Sequence, residues 1–133
     1  MKSKFRFLLL LAAFLTVGSI SAAAQNMSGT VKIVVVKFPA GKNQTTIRGT
    51  ASYAMSYVYT FRVKQGQTIT IKTDSKEPDL TFSLFAPKSE TELAFAVKEW
   101  SGEAAEAGTY SITLVMNNEN AKRVPYSLLI KVQ

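Results

Sequence analysis

The residues best placed for chemistry in this 133-residue chain are two small groups of carboxylates. Asp74, Glu77 and Asp79 lie close enough in sequence to offer oxygen ligands to Ca²⁺. They lack the D-x-[DN]-x-[DN]-G spacing that makes alternate residues of a tight loop converge on the ion, so the expectation is a solvated turn, with a weak calcium site as the alternative. Glu99, Glu103 and Glu106 surround Ser101-Gly102. A glycosidase-type acid/base pair needs two carboxyls fixed across a cleft at ~5 Å or ~6.5–9.5 Å. A Gly/Ala-rich stretch holds side chains poorly, and an exposed loop is expected there.

The chain has no His and no Cys. That closes the Ser-His-Asp and Cys-His relays, imidazole and thiolate metal sites, iron–sulfur clusters and disulfide frameworks. No G-x-G-x-x-G, P-loop or nucleophile-elbow pattern occurs. The expectation is a protein that catalyses nothing, needs no cofactor or metal, and acts by surface complementarity.

Two segments carry groups suited to that. The small-residue stretch from Ser101 to Gly108 follows the single Trp, Trp100, and delivers the chain to Gly108, Thr109 and Tyr110. It either protrudes and presents hydroxyl, backbone and aromatic groups to a partner, or simply packs Trp100 at the end of the fold and starts a core strand at Tyr110. The second segment, Asn117 to Arg123, reads as a solvated hairpin loop. Its adjacent Lys122 and Arg123 are placed to meet a carboxylate on a partner.

The elements that position these residues begin after an export signal. Lys2, Lys4 and Arg6 precede an apolar run from Phe7 to Val17, and Ala22-Ala23-Ala24 supplies the small residues before Gln25. The run is far short of the ~20 apolar residues of a membrane span. Residues 1–24 are therefore expected to be a cleaved signal peptide and 25–133 one domain, periplasmic or secreted, without membrane insertion afterwards. The full chain carries 16 basic and 9 acidic residues, and loss of Lys2, Lys4 and Arg6 leaves 13 against 9, a net charge of +4. Apart from the adjacent Lys122 and Arg123 the remaining cations are scattered singly and form no stripe, which argues against a nucleic-acid partner.

Within the domain the apolar residues recur at the strand period of two. Tyr57, Tyr59, Phe61 and Val63 share one face of a strand, with Thr60, Arg62 and Lys64 on the other. Gln65-Gly66-Gln67 turns the chain, and Ile69 and Ile71 resume the alternation as a hairpin partner would. Further inward sets are Leu80, Phe82 and Leu84; Tyr110, Ile112, Leu114 and Met116; and Tyr126, Leu128, Ile130 and Val132. Thr45 to Thr50 and Leu93 to Trp100 are two more candidates. Val31 to Phe38, with Val34-Val35-Val36 in series between Lys32 and Lys37, is expected to be a strand covered on both faces or one whose register is weakly fixed. About seven or eight short antiparallel strands without an internal repeat predict an all-β, single-domain β-sandwich or jelly roll.

The stretch Tyr57-Val58-Tyr59-Thr60-Phe61-Arg62-Val63-Lys64-Gln65-Gly66-Gln67-Thr68-Ile69-Thr70-Ile71 resembles the small exported bacterial inhibitors of goose-type lysozyme. The resemblance extends upstream through Val36-Lys37-Phe38, Gly41 and Ile47-Arg48-Gly49. Downstream it takes in Ala107-Gly108-Thr109-Tyr110-Ser111-Ile112 and Tyr126-Ser127-Leu128-Leu129-Ile130-Lys131-Val132. It implies a binding protein that blocks the enzyme's substrate cleft with loops, through Gly108, Thr109 and Tyr110 and, on a second loop, Lys122 and Arg123. The chain departs from the family at Ala107, where a Ser is expected; Thr109 is the neighbouring hydroxyl. The same pattern is also similar to pre-peptidase C-terminal domains, β-sandwich appendages of secreted enzymes. That alternative implies a module binding peptidoglycan, another envelope polysaccharide or a secreted protein.

Overall fold

The computed structural model describes residues 29–89 and 91–133, so the expected signal peptide lies outside the described residues. Nine strands follow in order: β1 (Thr30–Val35), β2 (Gln44–Ala51), β3 (Met55–Val63), β4 (Thr68–Ser75), β5 (Leu80–Phe85), β6 (Glu92–Val97), β7 (Glu99–Glu103), β8 (Gly108–Met116) and β9 (Val124–Val132). They form a five-stranded sheet of order β1-β3-β8-β5-β6 and a four-stranded sheet of order β2-β9-β4-β7, packed as a β-sandwich. The period-two pattern drives this arrangement, because a strand with one apolar face must bury it against another layer.

The inward sets are the ones the alternation predicts. Ile69, Ile71, Leu80, Leu84, Ile112, Leu128 and Ile130 are fully buried, and Tyr59, Phe61, Val63, Phe82, Leu114 and Met116 nearly so. At one end of the core Tyr59 and Tyr126 join their hydroxyls across the two sheets, while Tyr57 donates to the Thr50 carbonyl at 3.0 Å. Burial raises the pKa of both Tyr59 and Tyr126 above the ordinary tyrosine value, so the pair stays protonated and the core uncharged at physiological pH.

Several expectations about pairing are corrected. Seven of the eight connections cross from one sheet to the other, leaving β5–β6 as the in-sheet neighbours in sequence. The turn through Gly66, with φ +87°, thus carries the chain from β3 across to β4 and closes no hairpin. Asn117 to Arg123 likewise links β8 to β9 in the opposite sheet. The segment expected as one strand from Leu93 to Trp100 is two, β6 and β7, bent at Lys98 so that each half joins a different sheet. Its continuation, Ser101 to Glu103, is strand and not loop. Finally, β1 is an edge strand, not a doubly covered one, and it pairs with β3 in parallel. Val31, Ile33 and Val35 are 59%, 69% and 68% exposed.

Gly49 shows how tightly the tyrosine end is packed. It lies opposite Tyr126 in the β2–β9 ladder, and a Cβ there would stand 2.6 Å from the Tyr126 hydroxyl. Gly49→Ala is expected to destabilise the fold by about 1–3 kcal/mol through overpacking, read as a lower urea midpoint at unchanged slope.

Candidate partner-binding end

Gly108, Thr109 and Tyr110 open β8 and lie opposite Val63, Arg62 and Phe61 of β3. Tyr110 is 1% exposed, its ring 6.1 Å from that of Phe61. Its hydroxyl donates to the Glu106 carbonyl at 2.8 Å and accepts from the Glu106 amide at 3.4 Å. This is a tyrosine corner, in which a core aromatic ties down the backbone just upstream. Tyr110 therefore positions the 104–107 loop and cannot offer its ring face to a partner. Gly108 has φ +144°, and a Cβ on it would meet the Pro87 ring at 3.0 Å. Glycine is needed at this point because the backbone conformation disfavours a side chain and the neighbouring loop leaves no room for one.

The same loop is pinned from outside. The Glu106 carboxylate accepts from the Ser89 hydroxyl, from the Lys88 amide at 2.9 Å and from the Ser89 amide at 3.2 Å. The Ser89 hydroxyl first, and the Lys88 amide second, hold the Glu106 pKa below its usual value. Thus one acid of the group Glu99, Glu103 and Glu106 staples two loops together. The other two stand on β7, opposite Lys72 and Thr68, on a strand rather than across a cleft.

With the loop fixed, Thr109 is left exposed beside Arg62, its direct cross-strand neighbour on the outer face. Arg62 separates two shallow hollows. One, of about 470 Å³, is lined by Val35, Val36, Phe38, Phe61 and Thr109; the other, of about 290 Å³, by Lys64, Gln67, Ala107 and Gly108. Exposed Lys37, Lys42 and Lys64 belong to the connections at this same end. The arrangement offers one hydroxyl, a planar guanidinium and surrounding positive charge, a set suited to an acidic surface. Sequence reading missed Arg62, which looked like one more residue on a wet strand face. The signal that finds it is register, since pairing Tyr110 with Phe61 sets Thr109 against Arg62.

Lys122 and Arg123 are not part of this end. They follow β8 at its far terminus, where the Asn117 amide donates to the Asp79 carbonyl at 3.1 Å. Nine residues of β8 intervene, about 26 Å at the rise of an extended strand. The acids expected as a turn occupy that far end. Asp74 is exposed on β4, and the Glu77 carboxylate accepts from the Asp79 amide at 3.2 Å. Among the described residues no three metal-capable side chains converge.

No protein-family model matches the chain, and neither does any curated protein. Solved structures do match. The chain is similar to the Aeromonas hydrophila periplasmic inhibitor of g-type lysozyme, PliG, at TM-score 0.69 and 23% identity, over 79% of this chain and 99% of that one. Salmonella Typhimurium PliG matches at TM-score 0.62 and 21% identity, over 78% and 100% of the two chains. The pre-peptidase C-terminal domain of Bacillus anthracis collagenase matches at TM-score 0.55 and 18% identity, over 79% and 96%. These likenesses define the class of fold: a sandwich common to the g-type lysozyme inhibitors and the pre-peptidase C-terminal domains.

Two measurements test the loop's construction. Tyr110→Phe keeps the ring and loses the corner, costing about 0.5–1.5 kcal/mol, whereas Tyr110→Ala empties a core site and costs about 3–5 kcal/mol, both read by urea unfolding. The staple is pH-dependent in a defined direction. Because the Glu106 pKa is depressed in the fold, its contribution is complete above the ordinary carboxylate pKa and is lost as pH falls through the lowered value. The Lys88 and Ser89 amide resonances should titrate together with a midpoint below about 4.3, the usual Glu value, and stop titrating in Glu106→Gln.

Proposed function

We propose that this protein is a periplasmic lysozyme inhibitor of goose-type specificity. In this reading it catalyses nothing and occludes the enzyme's substrate cleft with the end of the sandwich that carries Gly108, Thr109 and Arg62. The observation carrying the reading is the superposition along 99% of an inhibitor's chain; Gly108 and Thr109 are its proposed contacts, while the buried Tyr110 supports them from within the core. A lysozyme cleft holds a catalytic carboxylate. Arg62 supplies charge-assisted donors to such a group and Thr109 a hydroxyl on the same face. The corner at Tyr110 and the staple at Glu106 fix the loop before binding, which reduces the ordering cost of association. Thr109 lies two residues beyond Ala107, and both side chains are exposed, so the hydroxyl absent at 107 is regained one strand repeat along. Lys122 and Arg123 enter as a second contact, reached only by a partner that extends along β8.

The test is a titration of the exported chain into goose-type lysozyme clearing a peptidoglycan suspension, with chicken-type and invertebrate-type enzymes alongside. Stoichiometric loss of the goose-type activity alone is expected. Thr109→Ala and Arg62→Ala should each raise the inhibition constant about 10- to 100-fold, the range of a charge-assisted hydrogen bond, without lowering the melting temperature. Inhibition of none of the three enzymes overturns the reading. If the chain then sediments with peptidoglycan, the likeness to the collagenase domain takes over as the guide to function.

A further inference from the structure

Among the described residues the sandwich has four open sheet edges, and they are not equally guarded. On β6 the ladder with β5 shifts register between Phe82 and Phe85, and Ala96 takes φ +49°, so that edge is bulged. β7 is five residues long with exposed glutamates at both ends. β2 carries Gln44, Arg48 and the helix- and strand-weakening Gly49. These are the devices by which proteins keep sheet edges from pairing with other chains. β1 is different: Thr-Val-Lys-Ile-Val-Val, in unbroken register with β3 over all six residues, with one charge.

The open groups of β1 and its exposed side chains coincide. Thr30 donates its amide to Ala54 and Val36 to Thr60, both on the β3 side. In a strand the N–H and C=O of one residue point the same way and successive residues alternate. The backbone of the even-numbered residues therefore faces β3, and that of Val31, Ile33 and Val35 faces the open edge. The side chains of these same three residues are exposed on the outer face. Beside them on β3 stand Ser56, Val58 and Thr60, all uncharged.

We propose that β1 pairs antiparallel with β1 of a second copy of this chain, about a two-fold axis through Ile33, joining two five-stranded sheets into one of ten. The symmetry and the hydrogen bonds select this register together. Open groups must meet open groups, so an odd residue faces an odd residue, and centring the strand sets Ile33 against Ile33 and Val31 against Val35. Lys32 then lies opposite Val34 and not opposite its own copy, so no like charges meet head-on. A self-complementary patch of this kind is what a two-fold interface requires. A six-residue seam is about 20 Å long, and with the flanking apolar side chains it falls at the small end of specific interfaces, roughly 1,000 Å² in all. The dimer is accordingly a micromolar one, and it does not depend on the lysozyme reading.

Sedimentation equilibrium of the exported chain from about 1 to 200 µM, the span suited to an interface of this size, should show a monomer–dimer equilibrium. Ile33→Lys places two charges on the axis and should leave a monomer with an unchanged melting temperature, since the residue is 69% exposed. The natural chain has no Cys, so Ile33→Cys should oxidise to a covalent dimer. Directly paired residues of this hydrogen-bonded kind sit ~5.5 Å apart at Cα, inside the Cα range of disulfides but at the wide limit for Cβ, so a short thiol-to-thiol linker is used beside the oxidant. Val31→Cys alone should not cross-link, whereas Val31→Cys mixed with Val35→Cys should. A chain that stays monomeric across the range overturns the proposal. So does a dimer that survives Ile33→Lys, or one that cross-links through Phe95→Cys on β6 in place of Ile33→Cys.

Discussion

The burial of one apolar stripe per strand between two sheets is the constraint on which the rest of this structure depends. It is satisfied by a chain that changes sheet at nearly every connection. Seven of the eight connections must therefore cross the thickness of the sandwich, about 10 Å, and the loops collect at the two ends while the flat faces stay free of them. The Gly108 end gathers the connections after β1, β3, β5 and β7. Four connections packed side by side, three of them crossing between the sheets, can brace one another. The Glu106 staple to Lys88 and Ser89 and the contact of Gly108 with Pro87 are two results of that crowding.

The tyrosines translate core packing into loop geometry. Tyr110 is anchored by its ring in the core and spends its hydroxyl on the Glu106 backbone. Tyr59 and Tyr126 bind the two sheets to each other at the other end. A buried tyrosine needs a partner for its hydroxyl, and here each one found closes a junction that alternating aliphatic residues cannot close. Position 110 thus does structural work that leaves Thr109 and Arg62 free to face solvent.

The inward faces were legible because the strand period is local: each buried set on β3, β4, β5, β8 and β9 could be read from five to nine residues. Which strand lies beside which was not. A turn through Gly66 reverses the chain equally well into a neighbouring strand of the same sheet or across the core, and nothing in Lys64 to Gln67 distinguishes a lateral spacing of ~4.8 Å from a crossing of ~10 Å. The same ambiguity hid the bend at Lys98 and the true partner of β8. The apolar run of β1 misled for a different reason: Ile33-Val34-Val35-Val36 in series suits a strand covered on both faces, yet β1 lies at a sheet edge with Val31, Ile33 and Val35 exposed. At the candidate site, Gly108, Thr109 and Tyr110 were found by motif, but the division of labour among them needed burial, and Arg62 needed register.

Placing Lys122 and Arg123 at the opposite end from Thr109 also constrains what a partner can do. Two loops at one end of a sandwich can enter one cleft. Two loops separated by the length of β8 meet one partner only where that partner extends along the strand. The Arg62–Thr109 pair is the more self-sufficient of the two, since its residues face each other across a ladder, its loop is fixed by Tyr110 and Glu106, and its cations sit on neighbouring connections. An antiparallel joining of two copies through β1 would point the two Thr109 ends in opposite directions along the seam. Each Thr109 would then keep to its own side, but Val35 of the seam also lines the hollow beside Thr109 and Arg62, so self-association and partner binding would meet at that residue.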